Sequence, residues 1–135
     1  MNENLRILII NPKEMLSQKF VKELYARNHA NYLCVNINIH QREWINKYID
    51  NWKPDMVVIL SDNITKFVIE AVKRVGITLV CKSSEFDKLI KTSIEKFYIV
   101  DVQSEYNFGA FICDLIESDK FGSYLLTDAG IVHLD

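Results

Sequence analysis

Five residues stand at the ends of short apolar runs, where side chains could converge and do chemistry: Asn11, Asp62, Cys81, Lys82 and Asp101. An aspartate there can accept a phosphoryl group or bind magnesium, which takes hard anionic oxygens. Cys81 would become a nucleophile on losing its proton, and Lys82 beside it would favour the thiolate. Against that, cysteine in an apolar strand is most often inert and buried, and no histidine can be placed near this one. His29, His40 and His133 are scattered without HxxxH or HxH spacing, so no metal site is expected. "NPKEML", after the first apolar run, contains no glycine. A GxGxxG or GxxxxGK[ST] loop is therefore absent, and the backbone there cannot closely approach a pyrophosphate. No G-x-S-x-G elbow exists either. Pro54-Asp55 with Lys82 faintly matches a PD-(D/E)xK nuclease pattern, but Val80 stands where its second acid belongs. These residues lead to no expected cofactor.

The elements that must position these groups follow from hydrophobic period. "LRILII" reads as a buried strand, followed by a helix with Leu16, Phe20, Val21 and Leu24 on one stripe. "YLCVNINI" alternates as a second strand, with Cys34, Asn36 and Asn38 on one face. Trp44, Ile45, Tyr48, Ile49 and Trp52 mark a helix that Pro54 stops, and "MVVIL" is the most apolar strand. A third helix closes at Gly76, and "ITLVC" is a fourth strand. "SSEFDKLIKTSIEK" begins with a serine cap, "FYIVDV" is a fifth strand, and residues 104–119 form a fifth helix that Gly109 interrupts. Five β-α units in succession predict a parallel sheet with helices on both faces and right-handed crossovers. Ligands of such sheets sit at the carboxyl ends of the strands. "SYLLTDAGIVHLD" is left over and reads as a hairpin turning at Asp128-Ala129-Gly130.

The chain has 135 residues, a net charge of −2 and no repeat, which fits one domain over residues 1–135: a β-α core at 5–121 and a hairpin at 122–135. Without a basic field, neither nucleic acid nor an anionic membrane is expected as partner. No apolar run is long enough for a signal peptide or a membrane span. Three cysteines, odd in number and widely spaced, suit a reduced cytoplasmic protein.

Residues 5–102 resemble the receiver domain of bacterial response regulators, through "RILIINPKEMLSQKFVKELYARN" and "WINKYIDNWKPDMVVIL" and through the order of elements. The resemblance implies a flavodoxin-like, doubly wound three-layer sandwich with a five-stranded parallel sheet in order 2-1-3-4-5, plus the hairpin. It also implies a phosphotransfer constellation, and here each position is replaced. The acid pair becomes Asn11 and Pro12, the phosphoacceptor Leu60, the hydroxyl residue Cys81 and the lysine Asp101. Asp62 is then a helix cap rather than an acceptor. The expectation is a pseudo-receiver: non-catalytic, phosphorylation-independent, acting in signalling or regulation through a protein partner or as a homodimer. Tyr124, Leu125, Leu126, Ile131, Val132 and Leu134 of the hairpin would dock, because neither hairpin face is polar. The alternative, from another class, is a small-molecule sensor or small enzyme using the rim of Asn11, Asp62, Cys81, Lys82 and Asp101.

Overall fold

The computed structural model describes residues 3–134. In chain order the elements are β1 (Ile7–Ile10), α1 (Met15–Ala26), β2 (Tyr32–Val35), α2 (Arg42–Trp52), β3 (Met56–Ile59), α3 (Lys66–Val75), β4 (Thr78–Lys82), α4 (Asp87–Ser93), β5 (Phe97–Val102), α5 (Phe108–Ser118), β6 (Gly122–Thr127) and β7 (Gly130–His133). The β-branched runs become strands because their alternate residues feed two separate cores. Ile7, Ile9, Val58, Val80, Tyr98 and Val100 face Leu16, Phe20 and Leu24 of α1 and Phe108 and Ile112 of α5. Leu8, Ile10, Val57, Ile59, Leu79 and Ile99 face Ile45 and Ile49 of α2, Val68 and Val72 of α3, and Ile90 of α4. A strand buried on both faces has no polar alternation, which is why β1 and β3 read as unbroken apolar runs.

The sheet has seven strands, not five, in the order β2-β1-β3-β4-β5-β6-β7. Only β7 runs antiparallel. The expected hairpin does form, with Gly130 at φ 128° beside its turn, but it is not an appendage. β6 lies parallel to β5 from Tyr98↔Gly122 to Val102↔Leu126. Tyr124 and Leu126 thereby fall on the same face as Tyr98 and Val100, in the first core.

The right-handed rule for crossovers is broken once. From β1 to β2 the chain steps towards one edge of the sheet with α1 on the first-core face. From β5 to β6 it steps towards the opposite edge, yet α5 lies on that same face. Reversing the step while keeping the face reverses the hand. The units through α2, α3 and α4 reverse both, so they keep the hand of the first. One crossover of opposite hand is rare in parallel sheets, and here it lays α5 against α1.

Gly109 explains how these two helices meet. A Cβ built on it would lie 2.5 Å from the carbonyl oxygen of Lys19 and 3.1 Å from Cβ of Glu23. Gly109 therefore lies inside α5, its missing side chain admitting the backbone of α1, rather than interrupting the helix. Arg27 clamps the same pair: its guanidinium donates to Asp114 at 2.8 Å, Glu117 at 3.2 Å and the carbonyl of Ala110 at 3.3 Å. An exposed helix would gain about 1 kcal/mol from Gly→Ala. Here the neighbour is backbone, which cannot swing aside, and overpacking costs about 1–3 kcal/mol. Gly109→Ala is expected to lower the melting temperature by several degrees in calorimetry; a rise would mean that α1 and α5 are not in this contact.

Candidate functional site

The strand order reverses between β1 and β3, and the loops there leave a crevice at the carboxyl ends of the strands. β1 ends at Ile10, and the chain turns through Asn11 in the left-handed region, φ 52°. Asparagine accepts that conformation better than most side chains. Its backbone N–H donates to the carbonyl of Val35 at 2.7 Å, and its Oδ1 accepts the N–H of Ile37 at 3.0 Å. That second bond takes the amide a longer strand would need, so β2 stops at Val35 although the alternation continues to Ile39.

The segment after β2 is then folded over the crevice. Asn38 Oδ1 accepts the N–H of His40 at 3.0 Å, and the Thr65 hydroxyl donates to the carbonyl of Ile39 at 2.7 Å. Across from it, the Ser61 hydroxyl donates to the carbonyl of Asn63 at 3.1 Å and accepts the N–H of that residue at 3.3 Å. The crevice is open to solvent and has a volume of about 340 Å³. Asn11, Glu14, Asn38, His40, Ser61 and Asn63 supply its polar lining, with Ile37 and Ile39 as the apolar part. Polar residues from three strand-end loops border one space there, where open α/β sheets bind ligands. A second depression of about 330 Å³ lies at the opposite end of the sheet, bordered by Lys73, Gly76, Glu95 and Lys96. There helix C-termini rather than strand-end loops converge, so the crevice is the stronger candidate.

The rim expected from sequence is divided. Asn11 lines the crevice. Asp62 and Lys82 form an ion pair at 2.5 Å, with Asp62 85% exposed; Thr65, not Asp62, precedes α3 as its cap. Cys81 is buried in the second core, and burial, with Asp87 adding repulsion, pushes its thiol up to about 12. A neutral thiol without access to substrate is not a nucleophile. Asp101 is exposed and borders a separate hollow of about 120 Å³ with Ser83, Asp87, Lys91 and Ser123. The expected serine precedes α4 as a cap: the Ser84 hydroxyl accepts the N–H of Phe86 at 3.1 Å, and Asp87 reaches back to accept the N–H of Ser84 at 2.8 Å and the hydroxyl of Ser83 at 2.6 Å. Among the hairpin residues, Tyr124 and Leu126 are turned into the core, while Leu125 and Ile131 are half-buried and Val132 and Leu134 exposed. Among the described residues, no group of three His, Cys, Asp or Glu side chains could hold a metal ion, and no helix is long and apolar enough to cross a membrane.

Asn38, His40, Ser61 and Asn63 were not legible as site residues. The polar members of "VNINIHQ" read as the solvent face of a strand, and only the loss of that strand brings them over the crevice.

No protein-family profile and no curated protein matches the sequence. Solved structures do. The Bordetella bronchiseptica enzyme WbmG, solved in complex with NAD, matches with a TM-score of 0.74 at 10% identity, over 96% of this chain and 74% of that one. The enzyme WbmH of the same organism, in complex with NAD+, matches with a TM-score of 0.71 at 10% identity, over 96% and 77%. A GDP-mannoheptose C4 reductase from Campylobacter jejuni with NADP bound matches at 0.56 and 16% identity, over 94% of this chain and 51% of that one. At such identities the likeness is one of fold, a Rossmann-like α/β sheet. It overturns the receiver resemblance, and with it the pseudo-receiver signalling module. The physical reason is that a receiver ends with its fifth β-α unit. Matches over 96% of the chain reach beyond that unit into the last two strands.

Proposed function

We propose that this chain binds a small molecule in the crevice at the carboxyl ends of β1, β2 and β3, as a sensor or a small enzyme. The observation that carries the reading is that six polar residues line a crevice at the reversal of strand order, where open α/β sheets bind ligands. The matched enzymes supply the same frame with NAD or NADP bound. Three free cysteines support a reducing, cytoplasmic setting.

A nicotinamide dinucleotide is the cofactor this fold suggests, and the residues present do not fit it. In the Rossmann arrangement glycines let the turn after the first strand approach the pyrophosphate, which rests on the helix N-terminus. Here that turn is Asn11-Pro12-Lys13-Glu14. The Asn11 side chain is tied across to Ile37, and Glu14 places a carboxylate at the N-terminus of α1, where the anion would rest. No step of the proposal passes through that cofactor.

The test is amide NMR of the full chain against a panel of neutral, cationic and anionic metabolite-sized compounds. A binder is expected to shift the resonances of Asn11, Ile37 and Asn63. Asn11→Gly keeps the positive φ but removes the side chain and its bond to Ile37, so it should weaken that binder about tenfold, with a melting temperature a few degrees lower. Shifts confined to Gly76 and Lys96, or a panel with no binder, would overturn the reading.

A further inference from the structure

We infer that the crevice selects a neutral, hydroxyl-bearing ligand, of sugar or nucleoside size, and rejects the phosphorylated form of the same molecule. The inference rests on the reading of the crevice as a ligand site and names its chemistry. No lysine or arginine lines the crevice among the described residues, so nothing there offers the fixed positive charge that phosphate recognition uses. Glu14 is the one charged carboxylate in the lining, and it precedes α1 without a side-chain capping bond, leaving both its oxygens to accept. Asn11 has committed its oxygen to Ile37 and Asn38 has committed its oxygen to His40, which leaves the two Nδ2 groups as donors. Two amide donors, one carboxylate, the His40 ring, the Ser61 hydroxyl and the Asn63 side chain make a mixed donor and acceptor set. Hydroxyl groups, each a donor and an acceptor, satisfy such a set, and a phosphate, which only accepts, does not. Ile37 and Ile39 give the ring of such a ligand an apolar surface. A volume of about 340 Å³ suits a molecule of this size.

The experiment compares two matched pairs by NMR titration: adenosine with adenosine 5′-monophosphate, and glucose with glucose 6-phosphate. At least one neutral member is expected to shift Asn11, Ile37 and Asn63, with its phosphorylated partner about tenfold weaker or more at low salt. Glu14→Gln removes the repelling charge and should bring the phosphorylated partner to within about threefold of the neutral one. A phosphorylated member that binds as tightly as its neutral partner overturns the inference. So does a crevice that takes cationic or anionic compounds from the wider panel and neither neutral probe, although the site itself then stands. If no compound of any class moves the crevice resonances, the site reading fails with it.

Discussion

A chain ending at Phe121 is expected not to fold. It lacks β6 and β7, and the consequence follows from where β6 lies. Tyr124 and Leu126 are 5% and 0% exposed, packed in the core that α1 and α5 cover. Burying two such side chains contributes about 3–6 kcal/mol, against a total stability of about 5–15 kcal/mol for a domain. The loss does not stop there. Tyr98 would lose the Tyr124 ring, 6.4 Å away by centroid, and β5 would lose the whole ladder from Tyr98 to Val102. Circular dichroism should show no cooperative thermal transition, and a hydrophobic dye should bind at low temperature. A chain ending at Thr127 is the control. It keeps β6 paired and gives up only β7, whose Val132 lies 49% exposed. It should melt cooperatively, a few degrees lower. If the shorter chain melts like the parent, β6 is an appendage after all and the core assignment of Tyr124 and Leu126 is wrong.

That contrast shows what was legible in the sequence and why. Strands one to five could be read because each is a short β-branched run flanked by helical period, a signal local to the segment. The hairpin was equally legible, since Asp128-Ala129-Gly130 is a local turn signal. Its place was not. Whether the first strand of a hairpin also joins a parallel sheet depends on β5, some twenty residues earlier, and on the side to which α5 crosses. Amphipathic period reports which face of α5 is apolar; it carries nothing about the hand of the crossover. The resemblance to a receiver failed for the same reason, since the order 2-1-3-4-5 is contained within the order observed here. At the site, Asn11 was legible as a strand-end residue, and so was the absence of glycine after it. The shortening of β2 could not be foreseen, because it depends on one bond from the N–H of Ile37 to a side chain 26 positions away.

The second large effect is expected at alkaline pH. Cys81 and Cys113 are 1% and 0% exposed, and both thiols are pushed up to about 12. For Cys81 the cause is burial, with Asp87 adding repulsion. For Cys113 it is burial again, opposed by Arg27 and reinforced by Glu23, Glu117 and Asp114. Tyr98 moves in the same direction, through burial first and then Asp119 and Tyr124. An unfolded thiol ionises near its ordinary value of 9.0, while the folded one keeps its proton. Above that value the unfolded chain binds fewer protons than the folded one, so stability falls as pH rises, and the fall continues until the folded thiols ionise near 12. Below 9 these groups contribute no slope. Each unit is worth about 1.4 kcal/mol, so by about pH 10.5 each thiol accounts for a loss of about 2 kcal/mol. Lysines and other tyrosines titrate in the same range, so the readout is a difference: urea unfolding from about pH 7 to 10.5 of the parent and of Cys81→Ala/Cys113→Ala. The variant starts lower, because each substitution opens a small cavity, but its stability should decline less steeply above pH 9. Alkylation of the native protein near pH 8 should modify exposed Cys34 and spare the other two. Parallel declines in parent and variant, or ready alkylation of Cys81, would mean that these thiols are not sealed in the two cores.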